Sequence, residues 1–296
     1  VNSADFLSLK PFVVSQRIAA GQSPQALMPG TVARIFTGAP IPKGADAVIM
    51  QEDAELEEGG LVSFKAAPPA GQWIRRAGED IAEGQLVLPS GAVLDPVQIG
   101  LLASIGIASV RVFRRLKVGV LVTGSELVNP GQALQAGQIY NSNEFVWVSM
   151  LRELNLDVHS LGIVKDNLQD TAQALQQISD CDVVISSGGV SEGEEDHIKP
   201  AVERVGQLRS WKVAAKPGKP MAFGHINRQD GSQCWFFGMP GNPVSSAVTF
   251  LLVVRPFLSI LMGQKPEGVD WRKRVQKRKA GFEWLKPDTR REEFLR

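Results

Sequence analysis

The amino-acid sequence predicts an α/β protein in which a doubly wound, mostly parallel sheet follows a β-rich N-terminal region and precedes a C-terminal domain stub. Apolar strand patterns alternate with amphipathic helix patterns from Leu116 to about residue 263, which is typical of a parallel sheet covered by helices on both faces. Residues 1–115 show short apolar runs between turn residues, without helical periodicity. The 296 residues are about twice the length of a usual domain.

Changes in this pattern predict four parts of the chain. They are a small β-rich domain at 1–78, a linking or dimerisation region at 79–115, the α/β domain at 116–263, and the start of a truncated C-terminal β domain at 264–296. The chain starts at Val1 without methionine, and neither end carries a finished element. We therefore expect further residues on both sides in the complete protein.

The composition indicates a globular protein without a global charge preference. Hydrophobic residues make up 44% and charged residues 21%, and the formal charge is only +1, so no overall field attracts nucleic acid or an anionic membrane. Two cysteines exclude a disulfide framework and favour the reduced cytoplasm. The apolar stretch Val244–Met262 is interrupted by Arg255-Pro256 and is predicted to be a buried helix and not a membrane span.

The β-rich region is predicted from short apolar runs and the turns between them. The candidate strand segments are ARIF, AVIM, LVSF, WIRR and LVLP. The acidic run Glu52–Glu58, before Gly59-Gly60, is predicted as the solvated tip of a hairpin between AVIM and LVSF. A short helix is expected near Asp95–Ile105, because proline at position 96 is well tolerated in a first helical turn.

In the α/β region each strand pattern leads through a loop into a helix pattern. The strand segments are LKVGVLVTG, DVHSLGIV, DVVISSGGV and SQCWFFG. Asn141 or Asn143 is the expected N-cap of the first helix, which carries Trp147 and Leu151 on one face. Further helices are expected around residues 168–175, near 196–205, and after the proline-rich loop that ends at 243.

Polar loops follow these strands and indicate where a ligand binds. They cover residues 123–127, 165–167, 186–196, 214–220 and 238–245. Parallel strands deliver their carboxyl ends to one edge of the sheet, where doubly wound proteins bind ligands. The sequence therefore predicts one binding site built from all five loops.

The loop at 186–196 combines glycines with carboxylates. Its strand ends in four candidate substrate-binding residues, Ser186, Ser187, Gly188 and Gly189. Such glycines let backbone N–H groups approach an anion. Four carboxylates follow, at Glu192, Glu194, Glu195 and Asp196. Carboxylates beside an anion need a cation, and oxygen ligands suit magnesium; a tight turn and a solvated helix start are the alternatives.

Two further loops carry candidate anion-binding residues. The first holds three lysines around a Pro-Gly turn, Lys212, Lys216 and Lys219, and the alternative is an ordinary surface. The second opens the apolar helix and contributes Pro240, Gly241, Asn242, Pro243 and Ser245. The positive end of that helix favours an anion, and a purely structural cap is the alternative.

These loops, taken together, resemble those of a known family. The matching segments are LVTGSEL, GQIYNSN, VVISSGGVSEGEEDHIK, WKVAAKPGKPMAFG and FFGMPGNPVSS, with RIFTGAPIPKGADAVIMQED and IRRAGEDI upstream. They are similar to the motifs of molybdopterin molybdotransferases, the MoeA family, and to the C-terminal domain of gephyrin. The resemblance runs from about Thr31 to Leu261 and implies that the α/β domain binds molybdopterin.

The resemblance also implies an activity and a cofactor. Members of the family join molybdate to adenylated molybdopterin with release of AMP, depend on magnesium, and work as homodimers. Glu126, Asp166 and Asp196 match acidic catalytic positions, with Glu126 and Asp196 as the implied metal ligands. Lys212 and Lys216 match anion-binding positions.

Two more catalytic residues are implied in the smaller domain. Thr37 of the TGAP motif and Asp80 of the GEDI motif belong to a part that, in the family, reaches the cleft of the partner subunit. The family's Asp-Gly-Tyr-Ala motif and most of its C-terminal β-barrel domain are not found in the sequence. We expect a cytoplasmic enzyme that meets other cofactor-biosynthesis proteins and binds neither nucleic acid nor membrane.

Two other functions remain open from the sequence. A molybdopterin adenylyltransferase has similar SSGG and PGNP loops, but the extra 115 residues with TGAP and GEDI argue against it. A gephyrin-like scaffold without enzymatic activity is the second alternative, and no groove for a receptor peptide is recognisable in the sequence.

Overall fold

The computed structural model describes residues 1–6, 10–187, 197–212, 215–216 and 220–270, together with 276, 279, 281 and 292–293. The chain divides into two compact units, Val1–Val87 and Leu88–Arg296. The domain limits predicted from the sequence stay predictions.

The first unit is built on a four-stranded sheet with the order β2-β1-β4-β3. Its strands are β1 (Phe12–Ile18), β2 (Thr31–Ile35), β3 (Ala54–Leu56) and β4 (Leu61–Phe64). β1 and β2 are parallel, and β4 runs antiparallel to β1 and to β3. The core of this sheet is small and consists of Phe6, Phe12, Val32 and Val62.

Two expectations for the first unit are wrong. The acidic run 52–58 is not a hairpin tip as a whole, because Ala54–Leu56 within it forms β3 and the turn to β4 takes residues 57–60. An edge strand keeps charged side chains in solvent while its backbone pairs on one side. AVIM, WIRR and LVLP, which the structure describes in full, contain no strand, and β1, which was not predicted, pairs with both β2 and β4.

The short helix predicted near residue 95 is confirmed as α1 (Pro96–Ser104). Asp95 caps it by accepting hydrogen bonds from the backbone nitrogens of Val97 (2.8 Å) and Gln98 (3.1 Å). Pro96 occupies the first turn, where its missing N–H leaves no bond unmade. None of the nine residues of α1, all of them described, is buried.

A six-stranded sheet with the order β10-β12-β13-β9-β5-β8 forms the centre of the second unit. Two small two-stranded pairs, β6 with β7 and β11 with β14, accompany it. The strands of this unit are β5 (Lys117–Thr123), β6 (Leu127–Val128), β7 (Ile139–Tyr140), β8 (Asp157–Val164), β9 (Val183–Ser187), β10 (Gly206–Lys212), β11 (Ala215–Lys216), β12 (Pro220–Asn227), β13 (Gln233–Met239) and β14 (Glu292–Glu293).

The large sheet is mostly parallel, as the sequence predicts. β8, β5, β9 and β13 are parallel neighbours, whereas β12 runs antiparallel to β13 and to β10. The last two strands at this edge, β12 and β10, were not predicted. The four strands that were predicted form the parallel part.

Helices cover both faces of the large sheet, which confirms the doubly wound arrangement. They are α2 (Asn143–Glu153), α3 (Leu168–Gln177), α4 (Ile198–Val205), α5 (Pro243–Thr249) and α6 (Arg255–Leu261). The short α7 (Pro266–Val269) follows α6 and has no buried residue. α2 and the α5–α6 segment share a core with Val118, Val120 and Val122 of β5. α3 and α4 share the opposite core with Leu121.

The long apolar helix runs from α5 through a π-helical turn at Phe250–Val254 into α6. The turn lies just before Pro256, a residue without the N–H that a regular α-helix requires. By length and composition, Pro243–Leu261 is able to cross a membrane, with a mean hydropathy of 1.9. Its inner face, with Phe250, Val254 and Leu258, is fully buried in the core of the sheet.

Candidate functional site

The carboxyl ends of β8, β5, β9, β13 and β10 lie at one edge of the large sheet. Thr123 of β5 lies opposite Val164 of β8, and Ser187 of β9 lies between β5 and Met239 of β13. β10 ends at Lys212, opposite the start of β12. The backbone register therefore starts all five polar loops from the same edge.

The last two residues of β9 are serines that the sheet buries completely. Ser187, 3% exposed, accepts a hydrogen bond at its carbonyl from the Thr123 hydroxyl (3.3 Å). Ser186 is 0% exposed, and its hydroxyl oxygen has no hydrogen-bond partner among the described residues. A buried hydroxyl without a partner is unusual, because such a group costs about 1–3 kcal/mol.

A residue absent from the sequence-based site, Asn143, connects two of the predicted loops. It is 8% exposed, and its Nδ2 atom donates to the Gly241 carbonyl at 2.7 Å and to the Ser187 Oγ atom at 3.2 Å. The sequence suggested Asn141 or Asn143 as an N-cap, but the N-cap position is Ser142 and Asn143 is the first residue of α2. The side chain of Asn143 turns to the neighbouring loops, which lie 44 and 98 positions away.

The loop from Pro240 to Ser245 enters α5 through an asparagine cap. The Asn242 Oδ1 atom accepts hydrogen bonds from the backbone nitrogens of Val244 (3.1 Å) and Ser245 (3.1 Å) and from the Ser245 hydroxyl (3.3 Å). Pro240 is buried, whereas Gly241, Asn242 and Pro243 are exposed. An anion therefore reaches the first helical amides only by replacing the Asn242 side chain, while the exposed part of the loop is open to a ligand.

Glu126 folds back over the end of β5. Its carboxylate oxygens lie 2.6 and 2.8 Å from the position that a Cβ atom on Gly124 would take. Gly124 has a φ of +149°, so a side chain there would be strained as well as blocked. The glycine in TGSEL thus allows the carboxylate to lie at the strand end, where Glu126 is exposed to solvent.

Asp166 occupies the neighbouring loop, directly after β8. It is half-buried and precedes Asn167, whose side chain caps α3 by accepting from the backbone nitrogen of Asp170 at 2.9 Å. Since β5 and β8 are adjacent and parallel, the loops of Glu126 and Asp166 start side by side. Two of the three predicted acidic positions thus leave adjacent strand ends.

Several predicted residues lie outside the described part of the chain. These are Gly188, Gly189, Asp196 and Lys219. Lys212 and Lys216 are placed by their backbone, the first at the end of β10 and the second in β11, opposite Glu293 of β14. Their binding roles stay predictions.

The acidic residues that the structure describes do not form a crowded metal cluster. Within the described ranges, no group of three or more His, Cys, Asp or Glu side chains is placed to hold a metal ion. A magnesium ion that takes one or two carboxylates and several waters does not need such a group. One of the two implied ligands, Asp196, lies outside these ranges.

Thr37 and Asp80 belong to the first unit. Thr37 is exposed and lines a cleft of about 1170 Å³. Arg75 also lines this cleft, and its guanidinium donates to the Asp80 carboxylate. The two predicted catalytic residues are thus exposed on the same unit, one in the cleft and one paired with a residue of the cleft wall.

Both cysteines are buried and free, as predicted. Burial raises the pKa of the Cys181 thiol to about 11 and that of the Cys234 thiol to about 12. At neutral pH both thiols stay protonated, and a protonated thiol is a poor nucleophile. Neither thiol is therefore a candidate nucleophile at neutral pH.

Comparison with known proteins gives matches to both parts of the chain. Residues 2–106 match the MoeA N-terminal region (domain I and II), and residues 119–259 match a probable molybdopterin binding domain. A molybdopterin molybdenumtransferase of Haemophilus influenzae is 50% identical over 81% of this chain and 57% of its own length. One of Synechococcus elongatus is 34% identical over 92% of this chain and 71% of its own length.

A solved structure, a molybdopterin biosynthesis MoeA protein of Pyrococcus horikoshii, has the same fold. Its TM-score is 0.72 at 33% identity, covering 89% of this chain and 66% of that protein. A gephyrin of Dictyostelium discoideum is 35% identical over 78% of this chain and 35% of its own length. The chain spans 57% and 62% of the length of the first two curated relatives that it matches.

Proposed function

The chain belongs to the molybdopterin molybdenumtransferase (MoeA) family, and we propose that it is a transferase that inserts molybdate into adenylated molybdopterin with release of AMP. The observation that carries this proposal is the shared edge of the large sheet. There the loops of Glu126, Asp166, Ser186–Ser187 and Gly241 meet within the segment that matches a molybdopterin binding domain. No single loop would support it.

The charges of the substrates favour this site. Molybdate is a dianion, and the adenylated pterin carries phosphates, so their approach needs positive charge to offset repulsion. Lys212 ends β10 at the same edge, and Lys216 follows within four positions. We propose Lys212, Lys216 and Lys219 as the cations that receive the two anions, and the serine and PGNP loops as the surface that binds the pterin.

Magnesium is the proposed cofactor, and the chemistry of the described donors fits it. Glu126 and Asp166 offer carboxylate oxygens, the ligand type that magnesium prefers. Glu126 and Asp196 would hold the ion. When bound, it would supply positive charge to the phosphate oxygens.

The experiment that tests this function is an AMP-release assay. The chain is incubated with adenylated molybdopterin and molybdate, with either magnesium or EDTA. We expect AMP to appear only when molybdate and magnesium are both present. AMP release without molybdate, or none under any condition, would contradict the proposal, and equal rates in EDTA would remove magnesium from it.

The adenylyltransferase alternative is not favoured, because the match at residues 2–106 is to the MoeA N-terminal region. The same assay separates the two enzymes when ATP and molybdopterin replace the adenylated substrate. A transferase of the proposed kind leaves ATP unchanged. A purely scaffolding protein releases no AMP in either assay.

A homodimer is the proposed working unit, with residues 79–115 in its interface. This region exposes apolar side chains, with Val97 74%, Val112 69% and Phe113 64% accessible. An apolar surface of this kind commonly marks a binding interface. Sedimentation at micromolar concentration tests the proposal: we expect a dimer, and we expect Val97→Glu to shift it toward monomer. A monomer in the unmodified chain would contradict it.

A cytoplasmic location and contact with other cofactor-biosynthesis proteins complete the proposal. Two buried, unpaired cysteines are what a reducing compartment allows. Cell fractionation with an antibody against the chain tests the location, and recovery in a membrane or exported fraction would contradict it.

A further inference from the structure

Asn143 connects parts of the candidate site that are far apart in sequence. Its Nδ2 atom donates to the Gly241 carbonyl at 2.7 Å, in the loop after β13, and to the Ser187 Oγ atom at 3.2 Å, at the end of β9. Ser187 is in turn bonded through its carbonyl to Thr123 of β5. One amide on α2 thus joins a surface loop to the last residue of a central strand.

The orientation of this amide follows from its partners. A backbone carbonyl only accepts hydrogen bonds, so the nitrogen of Asn143 must face Gly241 and the oxygen must face away. That oxygen, Oδ1, is buried and has no hydrogen-bond partner among the described residues.

This pattern is a poor way to stabilise a fold. Burying an acceptor without a partner is unfavourable and offsets much of the gain from the two bonds on the nitrogen. An apolar side chain of the same size would fit the buried start of α2 at least as well. Asparagine at this position therefore does one thing that an apolar residue would not: it holds the Gly241 loop in place.

We infer that Asn143 is a positioning residue: it holds the loop that contains Gly241 against the end of β9, so that the two loops present one surface to the substrate. The exposed part of the loop, from Gly241 to Pro243, is otherwise fixed by the Asn242 cap on α5 and has no other side-chain bond to β9 among the described residues. That this surface receives the pterin rests on the proposed function, whereas the holding of the loop does not.

The first test measures the loop directly. In Asn143→Leu, which keeps the side-chain shape and removes the donor, the amides of Gly241 and Asn242 should exchange with deuterium about tenfold faster, because one hydrogen bond no longer closes the loop. Asn141→Leu is the matched control. Asn141 is also buried, but its Nδ2 atom donates to Glu144 at 2.6 Å and to neither loop.

Unchanged exchange at Gly241 in the Asn143 variant, or equal acceleration in both variants, would overturn the inference. If Asn143→Leu does not fold, Asn143→Ser serves in its place, because a serine hydroxyl is too short to reach the Gly241 carbonyl. This measurement needs no substrate and so decides the positioning claim even when the proposed function fails.

The second test measures the consequence for the substrate in the AMP-release assay. Asn143→Leu should raise KM for adenylated molybdopterin about tenfold with little change in kcat, while Asn141→Leu should change KM less than twofold. A purely structural role of Asn143 would lower the melting temperature of Asn143→Leu and leave KM unchanged. Faster exchange of the loop with an unchanged KM would refute a role in substrate binding, and an unmodified chain that releases no AMP would refute the proposed function instead.

Discussion

At the amino end of β9, the Asp182 carboxylate accepts hydrogen bonds from the Arg114 guanidinium at 2.6 and 2.7 Å and from the Lys117 amide at 2.9 Å. At the carboxyl end of the same strand, the Ser186 hydroxyl has no partner among the described residues. Both ends are polar, but among the described residues only the carboxylate at the amino end has its hydrogen-bond partners. We therefore expect the amino end to contribute to the stability of the fold and the carboxyl end to contribute to ligand binding.

Arg228, between β12 and β13, adds further polar contacts at the amino end of β9. Its Nε atom donates to the Ser179 carbonyl at 2.7 Å, and its guanidinium also reaches the Cys181 carbonyl and lies 3.8 Å from Asp182. Burial alone would raise the pKa of Asp182, but the hydrogen bonds from Arg114 and Lys117 outweigh it and hold that pKa below its usual range. The group is therefore charged and paired at neutral pH.

The largest expected effect lies at the carboxyl edge. Glu126→Gln removes one charge that we propose to hold magnesium, and it should slow AMP release about 10²-fold, in the range seen when one preorganised electrostatic group is lost. The melting temperature should stay nearly level, because Glu126 is exposed. The control is Glu153→Gln, an exposed glutamate at the end of α2; equal rates in the two variants would remove Glu126 from the site.

A substitution at the amino end of β9 should lower the stability of the fold and leave substrate binding unchanged. Asp182→Asn keeps the size of the side chain but loses the charge-assisted bonds, so the free energy of unfolding should fall by about 2–3 kcal/mol. Denaturant titration measures the loss, and substrate affinity should not change. A weakened affinity with unchanged stability would reverse the assignment of the two ends.

The same aspartate predicts a dependence on pH. Because its pKa is lower in the folded chain than the ordinary 3.8, its contribution is fully present above that value and is lost as the pH falls through the folded pKa. The difference in stability between the unmodified chain and Asp182→Asn should therefore shrink below about pH 4. A difference that grows in acid would contradict the pairing.

A smaller effect is expected for the lysines beside the carboxyl edge. Lys212→Ala and Lys216→Ala should each weaken binding of molybdate or the pterin about tenfold, which corresponds to the loss of one charge-assisted bond. Equilibrium titration with each ligand measures this. Lys265→Ala, on a linker of the same unit, is the control, and unchanged affinity in both test variants would make the lysine loop an ordinary surface.

The cysteines near the amino end should change least. Their raised pKa values, about 11 and about 12, predict almost no reaction with iodoacetamide at pH 8 in the folded chain and full reaction after unfolding. Because the unfolded value is 9.0, burial of the neutral thiols stabilises the fold below pH 9, and this contribution is lost as the pH rises toward 11. Rapid labelling of the native chain would show that these thiols are not buried.

The parallel part of the sheet was predictable because its strands are short apolar runs followed by helix patterns. The antiparallel strands β10 and β12 were not, because neither is an apolar run that leads into a helix pattern. In the structure, a Cβ atom on Gly206 would overlap the His225 carbonyl, and one on Gly224 would overlap the Gln207 carbonyl. Glycine is needed for this close pairing, and that need appears only when the two strands are brought together.

The candidate site also has one part that the sequence predicts and another part that it does not. Loops that follow parallel strands had to share an edge, so the alternation alone predicted that the loops of Glu126, Asp166 and Ser187 lie together. The family resemblance was needed to select Glu126 and Asp166 within them. The contact between Asn143 and Gly241 joins residues 98 positions apart and follows from how α2 packs beside α5, which no local pattern encodes. The pairing of Arg114 with Asp182 is of the same kind, at a separation of 68 positions.

The most direct test of the difference between the two ends is a deuterium-exchange footprint of adenylated molybdopterin on the full chain. We predict protection of amides in residues 123–127, 165–167 and 238–245, at the carboxyl edge of the sheet. Residues 114–118 and 179–183, at the amino end, should exchange at the same rate with and without the ligand. Protection confined to the amino end, or no protection at saturating ligand, would contradict the account.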